Sequence, residues 1–316
     1  MQMDRRAFLR QATAVTAGMM MSPGALIGQE SDDGKGDASR NTMKTRTIPG
    51  TDEEVPVVGV GTWQQFDVAA GSTKLKHLRN VLNTLFRTGG SVIDSSPMYG
   101  RSESVVGRLL SEMGARDRSF LATKVWTRGR SDGIRQMKRS MERMNTDTID
   151  LMQVHNLVDW RTHLPVLQSW KEEGRVRYHG VTHYTRGSFD DLAEVMRNED
   201  IDFVQLPLSI GVRGAADRLL PIAEDEDIGV VVNRPFEGGS LFSGIRGGSL
   251  PDWADEIDCS SWAQYFLKYI LSHREVTCVI PGTSDPQHML DNARAGMGRI
   301  PDQADRRRMV AYWENL

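Results

Sequence analysis

Four residues that can move a proton stand just past apolar runs of the chain. Asp94 follows Ser91 to Ile93, Lys124 follows Phe120 to Thr123, His155 follows Ile149 to Val154, and Tyr99 lies in the segment after Asp94. A free tyrosine has a pKa of about 10 and is a weak acid at neutral pH, but a neighbouring ammonium stabilises the phenolate and eases loss of the proton. Lys124 suits that task, Asp94 can hold the lysine charged and oriented, and His155 can donate a hydrogen bond to a carbonyl oxygen. Taken singly, Asp94 could cap a helix, Lys124 could sit in a rim ion pair, and His155 could be a hydrogen-bonded core histidine. Together they make a coherent set for delivering a proton to an oxygen.

Such a set needs a scaffold that gathers the ends of separate runs. Candidate strands are Val57 to Val60, Ser91 to Ile93, Phe120 to Thr123, Ile149 to Val154, Val176 to Val181, Phe203 to Leu206, Gly229 to Val232 and Thr277 to Ile280. Segments of helical spacing lie between them: Lys74 to Thr88, Glu103 to Glu112, Asp132 to Met144, Arg161 to Glu173, Ser188 to Arg197, Ala215 to Glu226 and Ser260 to Ser272, with Pro286 to Ala295 as the last helix. This alternation implies parallel strands joined by right-handed crossovers. Eight such units predict an α/β chain closed into a (β/α)8 TIM barrel, where chemistry collects at the C-terminal strand ends. An open doubly wound sheet would carry a Gly-rich turn after its first strand, and Gly59-Val60-Gly61-Thr62-Trp63 lacks that spacing. Thr47 to Pro56, with Pro-Gly-Thr-Asp at its centre, predicts a hairpin that could plug the barrel floor.

The stretch from Gly90 to Gly107, which contains Asp94, Tyr99 and Glu103, closely resembles the first signature of the aldo/keto reductases. Ala122-Thr-Lys124-Val and Ile149-Asp-Leu-Met-Gln-Val-His155-Asn156 resemble the family in the same order and spacing, and the similarity runs over residues 44 to 296. The resemblance implies the same (β/α)8 barrel and an NAD(P)-dependent oxidoreductase that interconverts aldehydes or ketones with alcohols. It implies that Asp94, Tyr99, Lys124 and His155 are the catalytic tetrad, that hydride comes from the nicotinamide and that Tyr99 supplies the proton. NADP(H) is the implied cofactor, with NAD(H) the alternative, and a small carbonyl or alcohol the implied substrate.

The resemblance also assigns cofactor positions. Thr182, His183 and Gln205 fall where the family holds the nicotinamide carboxamide, His183 replacing the usual Asn. Asn233 stands where a stacking tyrosine is common, so stacking is lost or comes from elsewhere. Arg234, beside Pro235, could reach the pyrophosphate or form a rim ion pair. Gly239 and Leu241 lie in a segment similar to the family's phosphate loop. Gly282, Thr283, Ser284, His288 and Asn292 match its final segment, which leads into a helix N-terminus suited to an anion. Gly282 and His288 replace basic residues that often grip the adenosine 2'-phosphate, which weakens the inherited NADP preference. Trp63, Trp126 and Asn156 are candidate substrate-pocket residues, the two indoles suiting an apolar or flat carbonyl compound or simply core packing.

The first residues read as an address. Asp-Arg-Arg-Ala-Phe-Leu-Arg at 4 to 10, followed by a weakly apolar stretch from Ala12 to Ile27, is a twin-arginine export pattern. The stretch is shorter than the roughly 20 residues of a membrane-spanning helix, and Thr, Gly, Ser and Pro dilute it. The expected organisation is a signal at 1–30, cut near Gly28 or retained, a flexible linker at 31–42 and the barrel at 43–316. That organisation implies the twin-arginine export machinery as a partner, a periplasmic location and no stable membrane anchor.

A net charge of -3, from 39 basic and 42 acidic residues, provides no positive field for nucleic acid. Cys259 and Cys278 are too few for a disulfide framework and have no neighbours at metal-ligand spacing, so no metal site is expected. Two other function classes compete. A cofactor-holding binding or redox-sensing protein could use the same barrel without turnover. A carbohydrate-processing barrel would need a second carboxylate facing Asp94, and the sequence offers no convincing one.

Overall fold

The computed structural model describes residues 42–245 and 247–316. The expected export signal, its cleavage point and the linker up to Asn41 lie outside the described residues. In chain order the elements are a hairpin of β1 (Thr45–Thr47) and β2 (Glu54–Pro56), then β3 (Val60–Gly61), α1 (Lys74–Arg87), β4 (Val92–Asp94), α2 (Ser102–Met113), β5 (Phe120–Val125) and α3 (Arg130–Met144). There follow β6 (Ile149–His155), α4 (Trp160–Glu172), β7 (Val176–Thr182), α5 (Phe189–Asn198), β8 (Phe203–Pro207), α6 (Gly214–Arg218) and α7 (Leu220–Asp225). The chain continues through β9 (Gly229–Asn233), α8 (Ser240–Gly244), α9 (Trp262–Leu271), β10 (Val276–Val279), α10 (Pro286–Arg294) and α11 (Gln303–Glu314).

Strands β3 to β10 pair in parallel with their sequence neighbours, as right-handed strand and helix alternation requires. The ring closes between its first and last members through the parallel bridges Val58↔Val279 and Gly61↔Gly282. Along this seam Gly59 N donates to Val279 O and Val279 N to Val57 O, both at 2.9 Å. The result is an eight-stranded (β/α)8 barrel.

Two apolar layers hold it. The interior carries Val92, Phe120, Ala122, Leu151, Tyr178, Phe203, Val231, Cys278 and Ile280, joined by Ile48 and Val55 from the hairpin. The hairpin therefore closes the floor as its sequence suggested. Glu53 in its turn accepts from the Tyr178 hydroxyl at 2.8 Å and pairs with Arg177, which also reaches Asp150 at 2.8 Å. The outer layer packs helices on the strands. In α1, the spacing of Leu78, Val81, Leu82 and Leu85 places all four on the buried face.

The structure corrects two helix expectations. The single helix expected from Ala215 to Glu226 is two, α6 and α7, because Pro221 has no N–H to continue a ladder and opens α7 near its start. Pro286 to Arg294 is not the last helix. α11 follows, begun by a capping box in which the Asp302 side chain accepts from Asp305 N at 2.9 Å and Asp302 N donates to the Asp305 carboxylate at 3.0 Å. Met309 is its one fully buried residue, so the apolar stripe that announces a helix is thin.

Gly180 on β7 lets that strand approach β8, since a Cβ there would lie 1.9 Å from the Phe203 carbonyl oxygen. Gly180→Ala is expected to force the two strands apart and cost about 1–3 kcal/mol or more, read as a lower urea midpoint. An unchanged midpoint would contradict this packing.

Candidate active site

Alternation along a strand decides which side chains enter the barrel. Asp94 lies two residues beyond Val92, Lys124 two beyond Ala122, His155 four beyond Leu151, Thr182 four beyond Tyr178, Gln205 two beyond Phe203 and Asn233 two beyond Val231. Each reference residue belongs to the interior cluster. All six therefore point inward at the C-terminal ends of their strands. Tyr99, on the loop after β4, joins them from the side.

Lys124 is fully buried, and its Nζ donates to both carboxylate oxygens of Asp94 at 2.8 and 2.7 Å and to Ser95 O at 2.7 Å. Gln205 Nε2 donates to Asp94 Oδ1 at 2.9 Å. Lys124 Nζ also lies 5.3 Å from the Tyr99 ring centroid. The Tyr99 and His155 rings meet edge to face, with centroids 5.8 Å apart and planes at 83°. His155 Nδ1 is 3.1 Å from Ser96 Oγ. The structure thus brings Asp94, Lys124, Tyr99 and His155 into one cluster.

Its electrostatics differ from the sequence expectation in one respect. Burial, and after it the Asp94 carboxylate, hold the Tyr99 phenol above its ordinary pKa instead of lowering it. The ammonium is turned to Asp94 and Ser95, so its charge is largely spent before it reaches the phenol. Burial pushes Lys124 below the usual lysine value, with the Asp94 charge and hydrogen bond opposing it. Burial, followed by the Lys124 and His183 charges, brings His155 down to about 2, so its imidazole is neutral. The site holds one ion pair, a protonated phenol and a neutral histidine.

The model of the aldo/keto reductase family matches residues 57–306, a span that contains all four of these groups. The chain belongs to the aldo/keto reductase family. Methylglyoxal reductase YeaE of Escherichia coli is 27% identical over 250 residues, covering 77% of this chain and 86% of that protein. An NADH-specific methylglyoxal reductase of the same organism is 28% identical over 313 residues, covering 80% and 93%. Among solved structures, an aldo/keto reductase from Klebsiella pneumoniae in complex with NADP and acetate superposes with a TM-score of 0.71 at 22% identity, covering 87% of this chain and 95% of that one.

Within this aldo/keto reductase, the residues assigned to the cofactor fall into two groups. At the strand ends, Gln205 Oε1 accepts from Thr182 Oγ1 at 3.1 Å and from Asn233 Nδ2 at 3.3 Å, and Asn233 Nδ2 also reaches His183 O at 3.2 Å. Both ring nitrogens of His183 are taken within its own loop: Nδ1 accepts from Tyr184 N at 3.0 Å, and Nε2 pairs with Ser188 Oγ at 3.0 Å. Further out, Arg234 takes a left-handed φ of 50° that carries its guanidinium over the Tyr184 ring, 5.6 Å from the centroid. Pro235 and Leu241 are buried, and the segment read as a phosphate loop turns through Gly238 and Gly239 into α8. Gly282, Ser284 and His288 are exposed while Thr283 and Asn292 are buried. The α10 N-terminus is capped by Asp285, whose carboxylate accepts from Gln287 N at 2.7 Å.

Trp63 and Trp126 are 48% and 42% exposed, unlike core tryptophans, and the Trp126 ring lies 6.4 Å from that of His155. Gln136 brackets the Trp126 backbone, accepting from its N at 2.5 Å and donating to its O at 3.1 Å. Asn156 adopts φ 53° directly after His155. Sequence reasoning missed Ser96, Gln136, Tyr184 and Arg186. Arg186 and Arg234 line one cavity of ≈ 320 Å³ with Tyr184, Ser209, Glu237 and Ser240. Neither guanidinium has a carboxylate partner among the described residues. Only the Ser96 position, inside the Asp94 motif and two residues from it, carried a signal that could have drawn attention. Cys259 and Cys278 are free and buried, and among the described residues no cluster of His, Cys, Asp and Glu could hold a metal ion.

Proposed function

We propose that this chain is a nicotinamide-dependent carbonyl reductase that also runs in reverse as an alcohol dehydrogenase. The observation that carries the reading is the Tyr99 phenol set between the buried Lys124–Asp94 pair and the His155 ring. A dinucleotide fits the residues present. Asn233 Oδ1 is buried without a hydrogen-bond partner among the described residues, and Arg186 and Arg234 line one cavity nearby whose one carboxylate, Glu237, accepts from Ser209 Oγ. Thr182, Gln205 and Asn233 would hold the nicotinamide end, and Arg186 and Arg234 the phosphates. NADP(H) is the cofactor inherited from the family and from the Klebsiella relative. The Asp285 carboxylate at α10 and the exposed Gly282 and His288 keep NAD(H) in the proposal.

When bound, the nicotinamide supplies or accepts a hydride. The chain's own residues handle the oxygen. Tyr99 delivers its proton to the carbonyl oxygen, and His155 stabilises the charge that grows there by donating from Nε2. Lys124, held by Asp94, stands 5.3 Å from the Tyr99 ring centroid, where what remains of its field opposes the negative charge left on Tyr99. The exposed indoles of Trp63 and Trp126 favour a small carbonyl compound with an apolar or flat face. Methylglyoxal, named for two relatives, is the first probe.

Reduction uses the phenol in its acid form. Because burial and Asp94 raise the Tyr99 pKa, kcat for reduction is expected to stay level from neutrality to about 10, the ordinary tyrosine value. Asp94→Asn removes a charge that disfavours phenolate, so the alkaline decline should move to lower pH. A decline in the wild type centred below the ordinary value would contradict the assignment.

Fluorescence titration with NADPH and NADH, followed by turnover on a panel of aldehydes and ketones, tests the whole reading. Binding of either with no turnover on any carbonyl would leave a cofactor-holding protein. Arg186→Ala and Arg234→Ala are each expected to weaken the cofactor about tenfold, and more at low salt. Unchanged affinity in both would remove them from the site. The twin-arginine pattern supports export of the folded enzyme, with cofactor loaded beforehand. Residues 1–42 fused to a reporter should direct it to the periplasm, and replacing Arg5 and Arg6 by Lys should retain it inside.

A further inference from the structure

A neutral imidazole has one N–H, and the hydrogen bond made by one ring nitrogen decides which nitrogen carries it. In His155 that partner is Ser96, which is fully buried, with Oγ 3.1 Å from Nδ1. Among the described residues Ser96 Oγ has one other hydrogen-bond partner, the Met98 backbone N–H at 3.4 Å, and that group can only donate. The serine oxygen therefore accepts from Met98, and its own proton has a single acceptor within reach, Nδ1. The opposite arrangement, Nδ1–H donating to Ser96, would leave the buried hydroxyl proton without a partner and carry a desolvation cost. Nε2 has no hydrogen-bond partner among the described residues, and the ring stands beside Tyr99 and Trp126 at the barrel mouth.

We infer that Ser96 is a positioning residue that fixes His155 in the Nε2–H tautomer and so presets the site to bind a carbonyl oxygen. The purpose of this arrangement rests on the carbonyl-reductase reading. With hydrogen on Nε2, His155 is a donor toward the mouth and cannot accept the Tyr99 O–H. The phenol proton stays free for the substrate, and two donors converge on one oxygen. With hydrogen on Nδ1, His155 would become an acceptor, compete for the Tyr99 proton and leave the carbonyl oxygen with a single donor. The low pKa of His155 agrees with this picture, since a protonated ring would carry both hydrogens and give Ser96 nothing to select.

Long-range proton–nitrogen correlation spectra of the 15N-labelled full chain test it, with the His155 signals assigned by their absence from His155→Gln. The wild type is expected to show Nε2 protonated and Nδ1 as the acceptor. Ser96→Ala is expected to shift the ring toward a tautomer mixture and to lower kcat about tenfold, with cofactor affinity unchanged. Ser96→Thr, which keeps the hydroxyl, should restore both. An Nδ1–H tautomer in the wild type overturns the inference, and so does a Ser96→Ala protein that keeps the tautomer and the full kcat. Should Ser96→Ala not fold, the wild-type spectrum decides alone. The spectrum does not depend on turnover. A chain that reduces no carbonyl but shows Nε2–H refutes the functional reading and leaves the tautomer assignment standing.

Discussion

Tyr99→Phe is expected to lower kcat for carbonyl reduction by about 10²–10⁴-fold, the range typical of losing a general acid, while cofactor affinity stays at the wild-type value. The substitution removes one oxygen and keeps the ring that meets His155 edge to face. Binding and chemistry are thereby separated. The phenol has no protein hydrogen bond to lose among the described residues, so the thermal midpoint should hardly move. A large fall in kcat with an intact midpoint is the signature of a proton donor. Full retention of activity would assign the proton to another group, and loss of folding along with activity would make Tyr99 a packing residue.

Lys124→Met is expected to lose activity and stability together. Asp94 is 3% exposed, and Lys124 supplies a donor to each of its carboxylate oxygens. Removing the lysine leaves a buried carboxylate with, among the described residues, only the Gln205 amide at Oδ1, and breaking a buried pair in this way costs about 3–5 kcal/mol. The companion Asp94→Asn/Lys124→Met carries no buried charge and should recover a substantial part of that stability without recovering turnover. Urea unfolding of the two single variants and the double variant gives the comparison. Equal destabilisation in Lys124→Met and in the double variant would mean that side-chain packing, and not the stranded charge, sets the cost.

The barrel was legible because its signal is repeated. Each strand is an apolar run, each helix an amphipathic segment, and the alternation fixes the topology wherever the ends fall. Three strands of the candidate site run on to include their polar last residues, His155, Thr182 and Asn233, which an apolar-run criterion excludes. The clustering of Asp94, Lys124, Tyr99 and His155 was legible because three of the four end such runs. Quantities that depend on three dimensions were not. The sequence puts an ammonium near Tyr99, but the distribution of its hydrogen bonds between Asp94 and Ser95 is a property of the folded cup, and burial reverses the expected direction of the phenol's shift. His183 has the right chemistry for a carboxamide, yet its ring is turned into its own loop by Tyr184, Thr185 and Ser188. Arg186 becomes visible only when the turn after β7 brings it to the cavity that Arg234 also lines. α11 escaped because its run of charges hides a single buried methionine.

The way the barrel closes has a consequence for the order in which the protein can be made. The floor hairpin and β3 precede the other barrel elements in the chain, yet their fastenings are late residues. Lys44 N donates to Gly296 O at 2.9 Å, Arg46 binds the carbonyls of Leu271 and His273 at 2.5 and 2.8 Å, and the β3 side of the seam bonds to Val279 and Pro281. Until those residues are synthesised, the hairpin has no clasp and the cup no finished wall. The four groups between positions 94 and 155 precede in sequence the strand that closes their barrel. The wall around the candidate site is therefore closed by contacts between early and late segments of the chain.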